Sequence, residues 1–388
     1  MNTVELSELY TAKNYDRYPV AFVRGRGRRL WDENGRSYLD LFSGLGVSSL
    51  GHGHAGLGAA LAEQTSLLLH SSNLYHQGPG ARLAQALAEG SFADRVFFCN
   101  SGTEAVEAAV RMARRRDPDR HEIVTALGGF HGRTLGSLAA TGQSALHEGA
   151  GPMPEGFIHV PYDDPAALGD VLGTHTAAVM VEPILGEGGV VVPAEGYLEQ
   201  LRAACDHTGA LLIFDEVQTG AGRTGSLWAY QQTEAIPDIL TCAKGLAAGL
   251  PIGAVLATEA ATAGFTKGSY GSTFGANPLA CRAALAVLEA LENEGVLENC
   301  RRSGAHLGQR LEALAAARND IVEVRGRGLM MGMELTRAAR PVVEAALEAG
   351  VVVNATAHSV VRFLPPLTVT TTEIDEGLEV VERCLNET

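Results

Sequence analysis

Between Arg95 and Ala257 the chain repeats one device: a short apolar run, an amphipathic stretch, then another apolar run. The runs are Arg95-Val-Phe-Phe-Cys99, Glu122-Ile-Val-Thr-Ala126, Phe157-Ile-His-Val160, Ala177-Ala-Val-Met-Val181, Leu211-Leu-Ile-Phe214, Ile239-Leu-Thr-Cys242 and Gly253-Ala-Val-Leu-Ala257. A strand covered on both faces reads as continuous apolar sequence, and helices between such strands return the chain for parallel pairing. The pattern predicts an α/β fold with a mostly parallel sheet between helices. Ligands of open α/β sheets gather at the carboxyl ends of the strands. Polar residues that close these runs are therefore the first candidates for chemistry.

Two of them stand out. Lys244 closes Asp238-Ile-Leu-Thr-Cys-Ala-Lys244, and Asp215 closes Ala210-Leu-Leu-Ile-Phe-Asp215. A buried lysine answered by a strand-end carboxylate is what pyridoxal phosphate chemistry requires. The amine forms a Schiff base with the cofactor aldehyde, and the carboxylate keeps the pyridine nitrogen protonated so that the ring accepts electrons.

The rest of the chain limits the alternatives. Its 388 residues suit two domains or one large domain with an appended lobe. After Asn277 helices come first, then short strands, then a last helix from Thr372 to Leu385, which reads as an α+β lobe. The expected division is 1–45 packing with that lobe, 46–276 as the large cofactor-binding domain and 277–388 as the small domain. A formal charge of −15 argues against nucleic-acid or anionic-membrane partners. The basic clusters Arg24, Arg26, Arg28, Arg29 and Arg114 to Arg116 read as solvated faces. Six scattered cysteines without a C-x-x-C pair suit a reducing compartment, and Gly51-His-Gly-His54 reads as a turn and not a metal site. With neither a signal peptide nor a membrane span in view, a cytoplasmic location is expected.

Several further motifs carry two readings each. Asn100-Ser-Gly-Thr-Glu-Ala105 opens a helix, so its small residues can admit a phosphate at the helix N-terminus or simply form a capping box through Ser101 and Glu104. In Phe130-His-Gly-Arg133 the aromatic can cover a ring face and Arg133 can fork onto a carboxylate, or one is core and the other exposed. Glu182 and Glu187 follow an apolar strand and can equally face water. Gln218 lies close to Asp215, and Ser272 and Thr273 place two hydroxyls in a glycine-flanked loop. Arg362, a charge inside Val360-Val-Arg-Phe-Leu-Pro-Pro366, needs either solvent or a carboxylate partner.

Together these residues resemble the class III, or ornithine-type, aminotransferases of fold type I. The matching motifs run from Tyr15 and Leu30-Trp-Asp32 to Arg362-Phe-Leu-Pro-Pro366, nearly the whole chain. Between them stand Asn100-Ser-Gly-Thr-Glu-Ala105, Phe130-His-Gly-Arg-Thr134, Glu182-Pro, Gly186-Glu-Gly-Gly189, Asp215-Glu-Val-Gln-Thr-Gly220, Gly222-Arg-Thr-Gly225, Ala243-Lys-Gly245 and Gly271-Ser-Thr-Phe-Gly275. Each is weak alone, and their occurrence in family order is specific. The one visible departure is Val106, where the family often has Asn; one turn into the helix, it is expected to alter packing only.

The resemblance implies that Lys244 carries the cofactor, pyridoxal 5'-phosphate, with Asp215 on its ring nitrogen and Gln218 on its phenolic oxygen. It implies that Gly102 and Thr103 cradle the phosphate, that Phe130 stacks on the ring, and that Thr273 reaches the partner's cofactor in a homodimer. Arg133 would hold the substrate α-carboxylate, with Tyr15 and Ser272 beside it. Glu187 and Arg362 would pair for the ω-amino substrate and part for glutamate or 2-oxoglutarate. The implied reaction moves the terminal amino group of N2-acetylornithine to 2-oxoglutarate, as in arginine biosynthesis. Ornithine, succinylornithine, 4-aminobutyrate and a carrier-linked aminoadipate semialdehyde are the rival substrates within the family. A dinucleotide-binding dehydrogenase is the rival from another class, but Gly25-Arg-Gly27 and Gly326-Arg-Gly328 lack the third glycine and the strand-to-helix setting.

Overall fold

All seven apolar runs are strands of one sheet in the computed structural model, which describes Met1–Thr388. Their spatial order is Arg95–Cys99, Gly253–Ala257, Ile239–Cys242, Leu211–Asp215, Thr176–Val181, Glu122–Ala126 and Phe157–Val160. The pairings among the last five are parallel, whereas Gly253–Ala257 runs antiparallel to both of its neighbours. The strands Thr176–Val181, Leu211–Asp215, Ile239–Cys242 and Gly253–Ala257 are buried at every position, which explains their lack of polar alternation.

The helix Gly102–Arg116 covers one face. Its apolar side, including Val106 with no exposed surface, packs into a core with Ile123, Met180, Ile213 and Val255. Val106 is thus a packing residue and lines no cavity. The opposite face carries the larger core, which runs on without a break into the C-terminal region through Leu311, Met333 and Phe363.

Two smaller sheets flank the large one. Phe22–Arg26, Arg29–Asp32 and Ser37–Asp40 form a meander, and Ser37–Asp40 pairs in parallel with Val351–Val352, so residues from both ends of the chain share one sheet. The other sheet has the order Ile321–Arg327, Met330–Leu335, Val360–Phe363, Asn354–Thr356. The helix Pro278–Asn293 packs on Ala55–Leu67 and Gly78–Glu89, while Val296–Ala316 packs on Ile321–Arg327 and Thr371–Glu387.

Arg223 ties these parts together without any carboxylate partner. It is 3 % exposed and donates to the carbonyls of Leu329 and Pro365 at 3.0 and 2.5 Å, and burial lowers its pKa to about 10. The basic clusters are solvated only in part: Arg24, Arg26, Arg115 and Arg116 are exposed, and the others are half-buried. Arg28 and Arg29 pair with Glu373 and Glu376 on the last helix, Arg24 lies over the Trp31 ring, and Arg114 donates to the carbonyls of His121 and Gly156. His52 Nε2 donates to Asp40 Oδ2 at 2.8 Å, and His54 caps the helix Ala55–Leu67. All six cysteines are buried and free. No helix is long and apolar enough to cross a membrane.

Candidate active site

Strand ends and one helix start enclose a cavity of about 470 Å³ whose walls carry Gly102, Thr103, Phe130, Arg133, Glu187, Asp215, Gln218 and Lys244. Residues scattered over more than half the sequence meet there because the strands that precede them lie side by side.

Asp215, 3 % exposed, ends its strand with both carboxylate oxygens engaged. Oδ1 accepts from Thr241 Oγ1 at 2.9 Å and from the Val217 N–H at 3.1 Å, while Oδ2 accepts from His131 Nδ1 at 2.7 Å. A carboxylate offers about four lone-pair directions, so one remains for a donor in the cavity. Burial would lower the pKa of His131, but the hydrogen bond to Asp215 and its charge outweigh that and raise it. The result is a carboxylate held in place by three donors.

Lys244 follows the buried strand Ile239–Cys242 and opens a single 3-10 turn, Lys244–Ala247, with φ of 42°. A positive φ is unfavourable for a lysine, by on the order of 1–3 kcal/mol, and marks a side chain that the surroundings force into one direction. Burial lowers its pKa, against the opposing charges of Glu187, Glu182 and Asp215. An amine biased toward its neutral form is the nucleophile that a carbonyl requires.

At the far wall, Ser101 caps the helix Gly102–Arg116 and accepts the Glu104 N–H at 3.3 Å. Glu104 reaches back to the Asn100 N–H at 2.6 Å. The capping reading of this segment is therefore realised, and the helix start still faces the cavity. A Cβ on Gly102 would meet Val217 Cγ1 at 2.8 Å, so only glycine keeps the first-turn amides bare toward the cavity. Thr103 Oγ1 lies 3.1 Å from Thr134 Oγ1, and Arg133 spreads over the Phe130 ring with its guanidinium carbon 5.6 Å from the centroid.

Glu182 is the hinge post of two loops. Its Oε1 accepts the Phe130 N–H and its Oε2 the Gly186 N–H, both at 2.9 Å, and burial pushes its pKa up to about 7. Beyond Gly186, Glu187 accepts from Arg362 Nη1 at 2.7 Å and from Gln218 Nε2 at 3.2 Å. Arg362 also donates to Gln218 Oε1 at 3.2 Å, which closes a ring of three side chains. Arg362 is 1 % exposed, so the charge in its apolar strand has found a carboxylate and not solvent. Burial raises the pKa of Glu187, but the guanidinium overcomes this and the net direction is down.

Three expected residues stand apart from the cavity. Tyr15 is 69 % exposed and lies beside Arg17, because the segment that carries it joins no strand. Ser272 Oγ accepts from Asn100 Nδ2 at 3.1 Å behind the wall, and Thr273 is exposed on the same loop. His131, Thr241 and Asn354 are additions from the structure. His131 is visible in sequence only as the second letter of Phe-His-Gly-Arg, and Asn354 only as the polar end of Val351-Val-Val-Asn354.

The sequence profile of the family described as Aminotransferase class-III matches residues 10–385. The chain belongs to the class III aminotransferases. It is 44 % identical to acetylornithine aminotransferase of Caldanaerobacter subterraneus subsp. tengcongensis over 97 % of this chain and 98 % of that one. It is 47 % identical to acetylornithine aminotransferase 1 of Bordetella pertussis, over 95 % and 96 %. Among solved structures, ornithine aminotransferase from Toxoplasma gondii superposes with a TM-score of 0.95 at 34 % identity, covering 100 % of this chain and 96 % of that one. N-acetylornithine aminotransferase from Stenotrophomonas maltophilia gives 0.84 at 35 % identity, covering 99 % and 98 %.

A class III aminotransferase works with pyridoxal phosphate, and the residues present fit that group. The bare amides at Gly102 suit its phosphate, the open lone pair of Asp215 suits a ring N–H, and the buried Lys244 suits its aldehyde.

Proposed function

We propose that the enzyme moves the terminal amino group of N2-acetylornithine to 2-oxoglutarate, yielding N-acetylglutamate 5-semialdehyde and glutamate for arginine biosynthesis in the cytoplasm. The observation that carries this reading is the pairing of half-buried Glu187 with buried Arg362 beside Lys244. An enzyme for both an ω-amine and an α-keto dicarboxylate must hide a cation from one substrate and offer it to the other. A carboxylate that can part from a guanidinium does that. The names of the curated relatives favour the acetylated amine over free ornithine.

When bound, pyridoxal phosphate supplies an aldehyde for amines and a ring that withdraws electrons from the attached carbon. Asp215, oriented by His131 and Thr241, would hold the ring nitrogen. Phe130 would cover one ring face, the Gly102 and Thr103 amides would take the phosphate, and Gln218 would offer its remaining N–H to the phenolic oxygen. Lys244 Nζ would take the proton from the amine-bearing carbon of the substrate as a base and, as an acid, give it to the carbon that was the cofactor's aldehyde carbon. Arg133 would hold the α-carboxylate of N2-acetylornithine; Tyr15 and Ser272 stand apart from the cavity in the single chain and would have to be brought to it.

The active unit in this reading is a homodimer, with Thr273 of one chain on the phosphate site of the other. Exposed Leu74, Tyr75 and Phe274, 86, 70 and 61 % accessible, support a covered surface around that loop. The chain divides into a large domain over 46–276, a small domain over 277–388 and residues 1–45 packed with the latter.

Single-turnover absorbance of the holoenzyme tests the substrate. N-acetylornithine, ornithine and 4-aminobutyrate are supplied separately, and only the first should discharge the visible band rapidly. Faster discharge by either of the others would overturn the substrate and leave the residue roles standing.

A further inference from the structure

Arg362 divides its donors among three acceptors, Glu187, Gln218 and Asn354, and two of them, Asn354 and Glu187, differ in charge. Nε and Nη2 both point at Asn354 Oδ1, at 3.2 and 2.7 Å. Nη1 and Nη2 point at Glu187, at 2.7 and 3.3 Å from Oε1 and Oε2. The two acceptors also differ in how they are held. Asn354 is the register partner of Arg362 across the antiparallel pair Asn354–Thr356 and Val360–Phe363, so the sheet itself fixes it. Glu187 belongs to a loop, and the bonds that pin this loop act on its backbone: Thr356 Oγ1 donates to the Glu187 carbonyl at 2.7 Å and Arg325 Nε to that of Gly189 at 3.0 Å. The Glu187 side chain itself is held only by Arg362 and Gln218.

A buried guanidinium that loses its anion is left with uncompensated N–H groups unless other acceptors stay in place. We propose that Asn354 is a positioning residue for the dicarboxylate substrate: it grips Arg362 by the Nε edge whether or not Glu187 is paired. Its amide is neutral, so the Nη edge keeps its full charge for the incoming α-carboxylate. An aspartate of the same shape would hold the guanidinium equally well and cancel that charge. This inference rests on the carboxylate-sorting role given to Arg362 above.

The test uses holoenzyme carrying Asn354→Ala or Asn354→Asp, with Arg362→Ala as the reference. Calorimetry measures glutarate, a dicarboxylate that cannot react, and single turnovers follow 2-oxoglutarate and N-acetylornithine separately. In Asn354→Ala, glutarate affinity and the 2-oxoglutarate KM should worsen by about tenfold to a hundredfold, the usual cost of losing hydrogen bonds to a charged group. The N-acetylornithine half-reaction should change by less than about threefold, since its carboxylate is held elsewhere. Asn354→Asp should weaken glutarate by at least about tenfold although it preserves the shape. Unchanged glutarate affinity in Asn354→Asp overturns the proposal even if Asn354→Ala does not fold. Equal losses in both half-reactions of Asn354→Ala overturn it as well, since they indicate scaffolding alone. If Arg362→Ala also binds glutarate normally, the carboxylate-sorting reading itself has failed. If it loses glutarate while both Asn354 variants keep it, only the role of Asn354 falls.

Discussion

His131 and Asp215 form a buried ion pair, 2.7 Å from Nδ1 to Oδ2, at the ends of two strands that are not neighbours in the sheet. The imidazole is raised in pKa by that contact, so the pair contributes stability that is complete below the ordinary histidine value of 6.5 and is lost as pH rises through the folded value. His131→Gln should therefore lower the melting temperature most below pH 6.5, with the gap to the wild type narrowing in alkali. Its kcat should fall by about tenfold to a hundredfold, because the carboxylate loses a charged donor. Melting curves across pH check the first part; a constant gap would remove the charge from the explanation.

Glu187 has the opposite sign. Its pKa is held below the ordinary value of 4.5, so its pairing with Arg362 stabilises the fold above that pH and is lost as pH falls through the folded value. Glu187→Gln should thus be less stable than the wild type at neutral pH and approach it in acid. The same variant leaves Arg362 permanently without its anionic partner, so glutamate should compete with N-acetylornithine about tenfold better than before. Inhibition constants for glutamate decide the point.

Lys244→Ala should reduce turnover by more than about ten-thousandfold, since both the covalent link and the proton carrier are removed. Far-ultraviolet circular dichroism should be unchanged. Turnover within a hundredfold of the wild type would show that another base moves the proton.

Gly102→Val should weaken cofactor retention. The added branch runs into Val217 and covers the amides at the helix start, and a loss of about tenfold or more in pyridoxal phosphate affinity is expected. Equilibrium dialysis of the cofactor against the apoenzyme measures it. Normal affinity would place the phosphate elsewhere.

The inner strands of the large sheet were legible because they are buried on both faces, and a run such as Leu211-Leu-Ile-Phe214 has no polar position to disguise it. The direction of Gly253–Ala257 was not legible, since its apolar pattern is the same whether it runs parallel or antiparallel. Lys244 and Asp215 could be read from their place at strand ends. Asn354 could not, because its meaning depends on a register with Arg362 that only the folded hairpin creates. Arg28 and Arg29 misled for a related reason: their partners, Glu373 and Glu376, lie at the other end of the chain, and local charge patterning carries no trace of them.

That long-range closure has a temporal side. Leu39 pairs with Val351, and Val352 accepts the Leu41 N–H, so the first sheet lacks its fourth strand until nearly the whole chain has left the ribosome. At the usual rates of synthesis this interval is on the order of 15–60 s. During that time the meander Phe22–Asp40 presents a bare strand edge to every other nascent chain nearby. The enzyme's yield in a cell thus depends on how that edge is guarded before its own C-terminus arrives.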